Sequence, residues 1–282
     1  MGFHALPNKF VASIDLNVSN MEAVSQFYNH VLGFSLLSES PEKIELTVNG
    51  ERPMITLHKT DKTTGRRTAG LYHIAVLLPE RSFLGSFLAH MSRLGYPLSG
   101  GSDHGVSEAI YLNDPEGNGI EVYVDRPSSQ WVWKGSQVDM YTEPLDAQGL
   151  VEAGRLLQWQ GMPGGTVLGH IHLSVSDVQQ SNSFYSGLLG YDVVCTYGDK
   201  ALFLSTGQYH HHIAVNSWAG NRLEALQEGE PGLASYTVML DGVRELDVLK
   251  ERFKREGYAF KEKENALVVK DPSGIRICLT AV

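Results

Sequence analysis

Eleven histidines are spread through the 282 residues, and several stand where they could act together. His73 lies in the apolar run GLYHIAVLL (70–78), and His170 and His172 lie in HIHLSVSD (170–177). His210, His211 and His212 form the core of YHHHIAV (209–215). His104 belongs to the polar, glycine-rich stretch GGSDHGVSEAIY (100–111), and Glu121 follows the turn DPEGNG (114–119). Imidazole both ligates metals and exchanges protons near neutral pH. Clustered with a carboxylate it is the usual signature of a metal site. A lone strand histidine is more often a hydrogen-bonded structural residue, so placement decides. Strand alternation puts His170 and His172 on one face. In the triple run it sends His211 to one face and His210 and His212 to the other. Antiparallel pairing across DPEGNG sets Tyr111 opposite Glu121 on a common face. His4, His30, His58 and His90 have no motif around them and read as surface residues.

The elements that must position these groups come from an internal repeat. SIDLNVSN (13–20) matches HIHLSVSD (170–177), and FYNHVLGF (27–34) matches FYSGLLGY (184–191). GLYHIAVLL matches GLASYTVML (232–240), and DPEG (114–117) matches DPSG (271–274). Two copies, 8–127 and 168–282, are joined by a connector over 128–167. Each copy divides again into units of a strand, a helix and further strands, at about 10–58, 70–125, 168–216 and 232–281. In the first, alternation marks a strand over 13–20, Asn20 can cap a helix carrying Val24, Phe27, Tyr28, Val31 and Leu32, and Gly33 stops it. In the second, the strand is followed by a helix over Arg81–Leu94 that ends at Gly95. One such unit exposes an apolar sheet face, so units should pair. The connector, with Trp131, Trp133 and Trp159, is too aromatic for a plain tether and is expected to pack against a domain.

Four βαβββ units, the twice-repeated strand–FY–LG(F/Y) pattern, and the GLYHIA and DPEGNGIE motifs resemble the vicinal-oxygen-chelate superfamily of glyoxalases, bleomycin-resistance proteins and dioxygenases. Within it the chain looks similar to bacterial extradiol ring-cleaving dioxygenases of the catechol 2,3-dioxygenase type. The resemblance implies an α+β fold of four βαβββ modules pairing into two cupped-sheet domains. It also places metal ligands at three strand positions. Only His73, Glu121 and His170 form a full set there, because the cognate positions elsewhere hold Ser13, Ser235 and Cys278. Two imidazoles and a carboxylate with open positions suit non-haem Fe(II), with Mn(II) as substitute. His170 lies in module three, and His73 and Glu121 lie in module two. Modules two and three are therefore expected to share the metal site, leaving one and four to pair. The resemblance further assigns His211 as acid–base group, Tyr111 and His104 as groups that orient substrate, and His172 as substrate-binding pocket lining.

The expected activity is extradiol cleavage of a catechol-like or dihydroxy-aromatic substrate with O2. A glyoxalase-like isomerase or transferase is one alternative. The lactoylglutathione lyases of the superfamily add a carboxylate on the strand corresponding to 209–215, which here has none. A non-enzymatic small-molecule binder is the other alternative. Acidic residues number 32 against 23 basic, giving a net charge of −9. That balance lacks the basic footprint of a nucleic-acid binder or of a protein held on an anionic membrane. No apolar run approaches the ~20 residues of a bilayer span, and MGFHALPNKF has no signal-peptide core. Cys195 and Cys278 do not suggest a disulfide framework, so a reducing cytoplasm is the expected location. A homo-oligomer is compatible with all of this.

Overall fold

The computed structural model describes residues 2–221 and 223–281. Module one supplies β1 (Phe10–Val18), α1 (Met21–Gln26), β2 (Ser35–Glu39), β3 (Lys43–Thr47) and β4 (Ile55–Lys59). Module two supplies β5 (Gly70–Leu77), α2 (Arg81–Leu94), β6 (Gly100–Asp103), β7 (Ser107–Asn113) and β8 (Gly119–Asp125). The connector holds three two-residue strands, β9 (Trp133–Lys134), β10 (Gln137–Val138) and β11 (Glu143–Pro144), and the helix α3 (Ala147–Gly154). Module three supplies β12 (Val167–Ser174), α4 (Val178–Asn182), β13 (Asp192–Tyr197), β14 (Ala201–Ser205) and β15 (Ile213–Asn216). Module four supplies β16 (Gly232–Leu240), α5 (Gly242–Arg255), β17 (Phe260–Lys263), β18 (Ala266–Lys270) and β19 (Arg276–Ala281).

These strands form two large sheets. One runs β17-β18-β19-β16-β1-β4-β3-β2 and takes modules four and one. The other runs β11-β6-β7-β8-β5-β12-β15-β14-β13 and takes modules two and three, the pairing expected from the distribution of the ligand positions. Mixed pairing makes the class α+β. The first strand of modules two, three and four pairs in parallel with the last strand of its own module, while the intervening hairpins are antiparallel.

Local chemistry explains the helices. The Asn20 side chain accepts from Ala23 N at 3.1 Å and so satisfies one of the orphan N–H groups that open α1. After α1 the chain widens into a π-helical turn over Phe27–Leu32, in which the successive aromatics Phe27 and Tyr28 are both buried. Gly33 then ends it at φ +89°, a conformation that costs a side-chain-bearing residue. The same wide turn recurs over Ser183–Leu188, burying Phe184 and Tyr185. α2 stops at Gly95, φ +63°.

The connector packs on module two. A Cβ on Gly85 of α2 would fall 2.0 Å from Leu150 O, and one on Gly154 would fall 2.3 Å from Ser86 N. The two helices therefore touch backbone to backbone. Trp159 is buried against Phe87, ring centroids 5.1 Å apart. Buried Trp131 donates Nε1–H to Arg126 O at 3.0 Å. Arg81 at the start of α2 clamps buried Glu108 with two bonds of 2.5 and 2.9 Å and reaches Gly149 O in α3 at 3.0 Å. Such two-pronged guanidinium–carboxylate pairing is what lets a glutamate lie so deep. Among the described residues no helix is long and apolar enough to cross a membrane. Cys195 and Cys278 are not joined in a disulfide.

Candidate metal centre

β8, β5 and β12 are consecutive in the nine-stranded sheet, and they carry Glu121, His73 and His170 respectively. The period of two sets their direction. Ala75, two residues after His73, packs with Ala109 and Tyr123 in a core cluster that Tyr111 borders. Tyr123 is likewise two residues after Glu121. His73 Nε2 stands 3.0 Å from Glu121 Oε2. One ligand atom from each of His73, Glu121 and His170 lies within 4.8 Å of the other two, and all three residues are buried. Two imidazoles and a carboxylate buried together form a nitrogen–nitrogen–oxygen donor set that fits a divalent cation such as Fe(II) or Mn(II).

Tyr111 pairs directly opposite Glu121 across the β7–β8 hairpin. Its hydroxyl is 2.8 Å from His104 Nε2, and His104 Nδ1 is 2.8 Å from Tyr141 O. A carbonyl only accepts, so Nδ1 carries a hydrogen, and in the neutral ring Nε2 must accept from the Tyr111 hydroxyl. The connector thus sets the tautomer of His104 and the direction of the Tyr111 O–H. β11 reinforces this by pairing with β6 at the same turn.

The triple-histidine run departs from the alternation expected of a strand. β15 begins only at Ile213, so His210 and His211 lie in the preceding loop, where side chains are not forced to opposite faces. Their Nδ1 atoms meet at 2.8 Å and share one hydrogen. The His211 ring lies 4.0 Å from that of His170. His212 turns the other way. It accepts from Thr206 N at Nδ1 (3.4 Å) and donates from Nε2 to Phe3 O (3.1 Å). Burial pushes its pKa well below the usual histidine range. His4 is not a surface bystander either: Nε2 donates to Gly169 O at 2.8 Å, and its ring meets Tyr209 edge-on at 4.7 Å. His90 similarly bonds Val31 O at 3.2 Å and stacks on Trp159.

His172 is buried among rings. Tyr72 lies 4.9 Å, Trp218 5.3 Å and Phe203 5.8 Å from it, centroid to centroid. Asn216 Oδ1 accepts from Trp218 N at 3.1 Å, which turns its amide so that Nδ2 donates to His172 Nε2 at 2.9 Å.

Residues 10–122 and 167–279 match the Glyoxalase/Bleomycin resistance protein/Dioxygenase superfamily. The chain is 43% identical over 263 residues to the catechol-2,3-dioxygenase of Bacillus subtilis (strain 168), covering 91% of this chain and 92% of that one. The chain belongs to the glyoxalase/bleomycin resistance/dioxygenase superfamily. Biphenyl-2,3-diol 1,2-dioxygenase 3 of Rhodococcus globerulus is 27% identical over 121 residues, 41% of this chain and 63% of that protein. The fold is shared with glyoxalase I of Zea mays at a TM-score of 0.59 and 13% identity, covering 97% of this chain and 92% of that one.

Membership of the glyoxalase/bleomycin resistance/dioxygenase superfamily directs attention to the strand ligands but leaves several neighbours unmarked. Tyr141 acts through a backbone carbonyl, which no side-chain pattern can announce. Asn216 and Trp218 follow HHHIAV in HHHIAVNSW, and only the asparagine, a buried polar group at the end of an apolar strand, carried a usable signal. Tyr72 adjoins His73 in sequence, where alternation argues against a shared face.

Proposed function

We propose that this protein is an extradiol-type dioxygenase that opens the ring of a catechol-like substrate with O2, with His73, Glu121 and His170 holding one Fe(II) or Mn(II) ion. The observation that carries the reading is the buried two-histidine, one-carboxylate cluster, with its ligand atoms within 4.8 Å of one another. The name of the 43%-identical relative supports it. A bound divalent ion would supply a chelating centre for two vicinal oxygens and the redox capacity to engage O2.

The chain's own residues do the rest. His73, Glu121 and His170 would hold the ion through three donors, fewer than Fe(II) or Mn(II) takes, and so would leave positions open to substrate. Tyr111, whose hydrogen goes to His104, sits opposite Glu121 and orients a substrate hydroxyl by accepting its hydrogen bond. His211 takes a proton from the second substrate hydroxyl and later returns it. Its Nδ1 is held by His210, so this exchange falls to Nε2. His172 and its ring neighbours line the space for the aromatic ring. Both oxygen atoms of O2 enter the product, and one ring carbon–carbon bond beside the diol breaks.

The test is anaerobic loading with Fe(II) or Mn(II), metal analysis, and oxygen uptake with a panel of catechols and hydroquinones. Stoichiometric metal and one O2 consumed per ring-opened product are expected. Metal-loaded protein that consumes no O2 with any vicinal diol would sink the proposal.

A further inference from the structure

His211 stands in a loop, 206–212, between β14 and β15. Two consecutive residues of that loop, Gly207 at φ +64° and Gln208 at φ +59°, take the left-handed conformation. Glycine adopts it freely, whereas glutamine meets a clash of its Cβ with the backbone. Tyr209, His210 and His212 are nevertheless fully buried. A loop of that shape is held in place by what packs on it.

The segment before β1, residues 3–9, follows the loop from one end to the other. The Thr206 hydroxyl accepts from Lys9 N at 2.9 Å and donates to Lys9 O at 3.3 Å. Gly207 leaves room for the Asn8 side chain, which a Cβ there would strike. Tyr209 takes the Phe3 ring at 5.0 Å and the His4 ring, edge-on, at 4.7 Å. His212 Nε2 donates to Phe3 O at 3.1 Å. His4 Nε2 donates to Gly169 O at 2.8 Å, one residue before His170. Lys9 pins the other end of the segment by an ion pair with Glu245 of α5 at 2.8 Å.

Tyr209 passes these contacts inward. Its ring lies 4.0 Å from that of His210, tilted by 35°. His210 Nδ1 meets His211 Nδ1 at 2.8 Å, and the His211 ring lies 4.0 Å from that of His170. We infer that His4 is a positioning residue. Through Gly169 O and the Tyr209 ring it docks segment 3–9 onto loop 206–212, and so holds His210, and through it His211, beside His170. What His211 then does rests on the proposed dioxygenase reading; the clasp itself does not. A group that moves protons is sensitive to such placement, since a shift of about 1 Å can cost about 10²-fold in rate. His170 needs no clasp, because it lies inside β12, which is hydrogen-bonded between β5 and β15. His4 therefore acts on turnover and not on metal binding.

Two measurements on the full chain separate the clasp from the reaction. His4→Ala removes the ring and the donor, whereas His4→Gln keeps an N–H for Gly169 O. The first measurement is amide hydrogen exchange over 206–212 in metal-free protein, read by mass spectrometry. His4→Ala should speed it by about tenfold or more, and His4→Gln by much less. Thr206→Val, which loses the hydroxyl bonds to Lys9, should speed the same exchange and serves if His4→Ala does not fold. Exchange unchanged in these variants overturns the inference. The second measurement is steady-state turnover of catechol by Fe(II)-loaded protein. His4→Ala should lower kcat by about tenfold or more while KM and bound iron stay within about twofold, and His4→Gln should recover most of the loss. Gly85→Ala, which disturbs packing at α2 and α3, should leave kcat within about twofold, so a general loss of stability does not reproduce the split. Faster loop exchange with kcat unchanged also overturns the inference. Faster exchange in a protein that turns over no vicinal diol keeps the clasp and discards the dioxygenase. Turnover with both exchange and kcat indifferent to His4 does the reverse.

Discussion

Replacing Asp271 by asparagine isolates one buried carboxyl and gives its effect a sign. Asp271 opens the DPSG turn of module four. Its Oδ1 accepts from Ser273 N and Ile275 N, both at 2.9 Å. Its Oδ2 accepts from the Tyr185 hydroxyl at 3.0 Å, which in turn accepts from Tyr236 at 3.1 Å. Burial outweighs these donors and raises the carboxyl from 3.8 to about 6. The folded protein therefore holds this proton more tightly than the unfolded chain does. The stability this contributes is fully present below pH 3.8 and is lost as pH rises through about 6. At 1.36 kcal/mol per pH unit the loss is about 3 kcal/mol. Asparagine keeps the Oδ1 acceptor, is neutral throughout, and can donate from Nδ2 to the Tyr185 oxygen. Urea denaturation of wild type and Asp271→Asn at pH 4.5 and pH 7.5 gives four free energies. The wild-type minus variant difference should fall by roughly 2–3 kcal/mol from the lower to the higher pH. Taking the difference cancels every other titrating group. A wild-type minus variant gap that stays constant within about 0.5 kcal/mol, the additivity error for independent sites, would refute the assigned burial effect. The matching Asp114 in module two is raised in the same direction, with burial again the largest cause, so Asp114→Asn should shift the same way.

His73→Ala should lower bound metal and activity together, and full metal occupancy in that variant, read by elemental analysis, would remove the proposed ligand. His211→Phe should leave metal in place and slow turnover by about 10²–10⁴-fold, the usual range for a lost acid–base group. His212→Phe should instead lower thermal stability, because both ring nitrogens are bonded and neither points toward substrate; a turnover loss larger than that of His211→Phe would reverse the two roles. Gly85→Ala forces a methyl group into Leu150 O and should cost about 1–3 kcal/mol by urea denaturation, as overpacking usually does.

Much of this architecture was legible because the repeats carry their own punctuation. Asn20, Gly33 and Gly95 begin and end helices where capping chemistry puts them, and the two-residue period of β7 and β8 set Tyr111 against Glu121. The pairing of modules two and three followed from where histidines and a glutamate replaced serine and cysteine. Other features were hidden for physical reasons. The continuation of α1 into a π-helical turn leaves no periodic trace in six residues. β2 is almost wholly exposed, so it shows no apolar alternation. The two-residue strands of the connector are too short to have a period at all. The triple histidine looked like strand, but strand geometry starts one residue later, at Ile213. His4 and His90 looked like surface because their partners are backbone carbonyls far away in sequence.

The pairing of β1 with β16 has a consequence for how the chain is made. Phe10 pairs with Met239 and Asn17 with Gly232, so β1 waits for this partner until more than 200 further residues have been made. At 5–20 residues per second this is roughly 10–45 s, during which FVASIDLNV can pair with β4 on one side while its β16-facing edge stays open. An unpaired edge of that kind templates aggregation. Completion of that sheet is dominated by distant contacts, which slows folding. Expression yield should therefore respond to holdase chaperones and lower temperature more strongly than the folded protein's own stability would suggest.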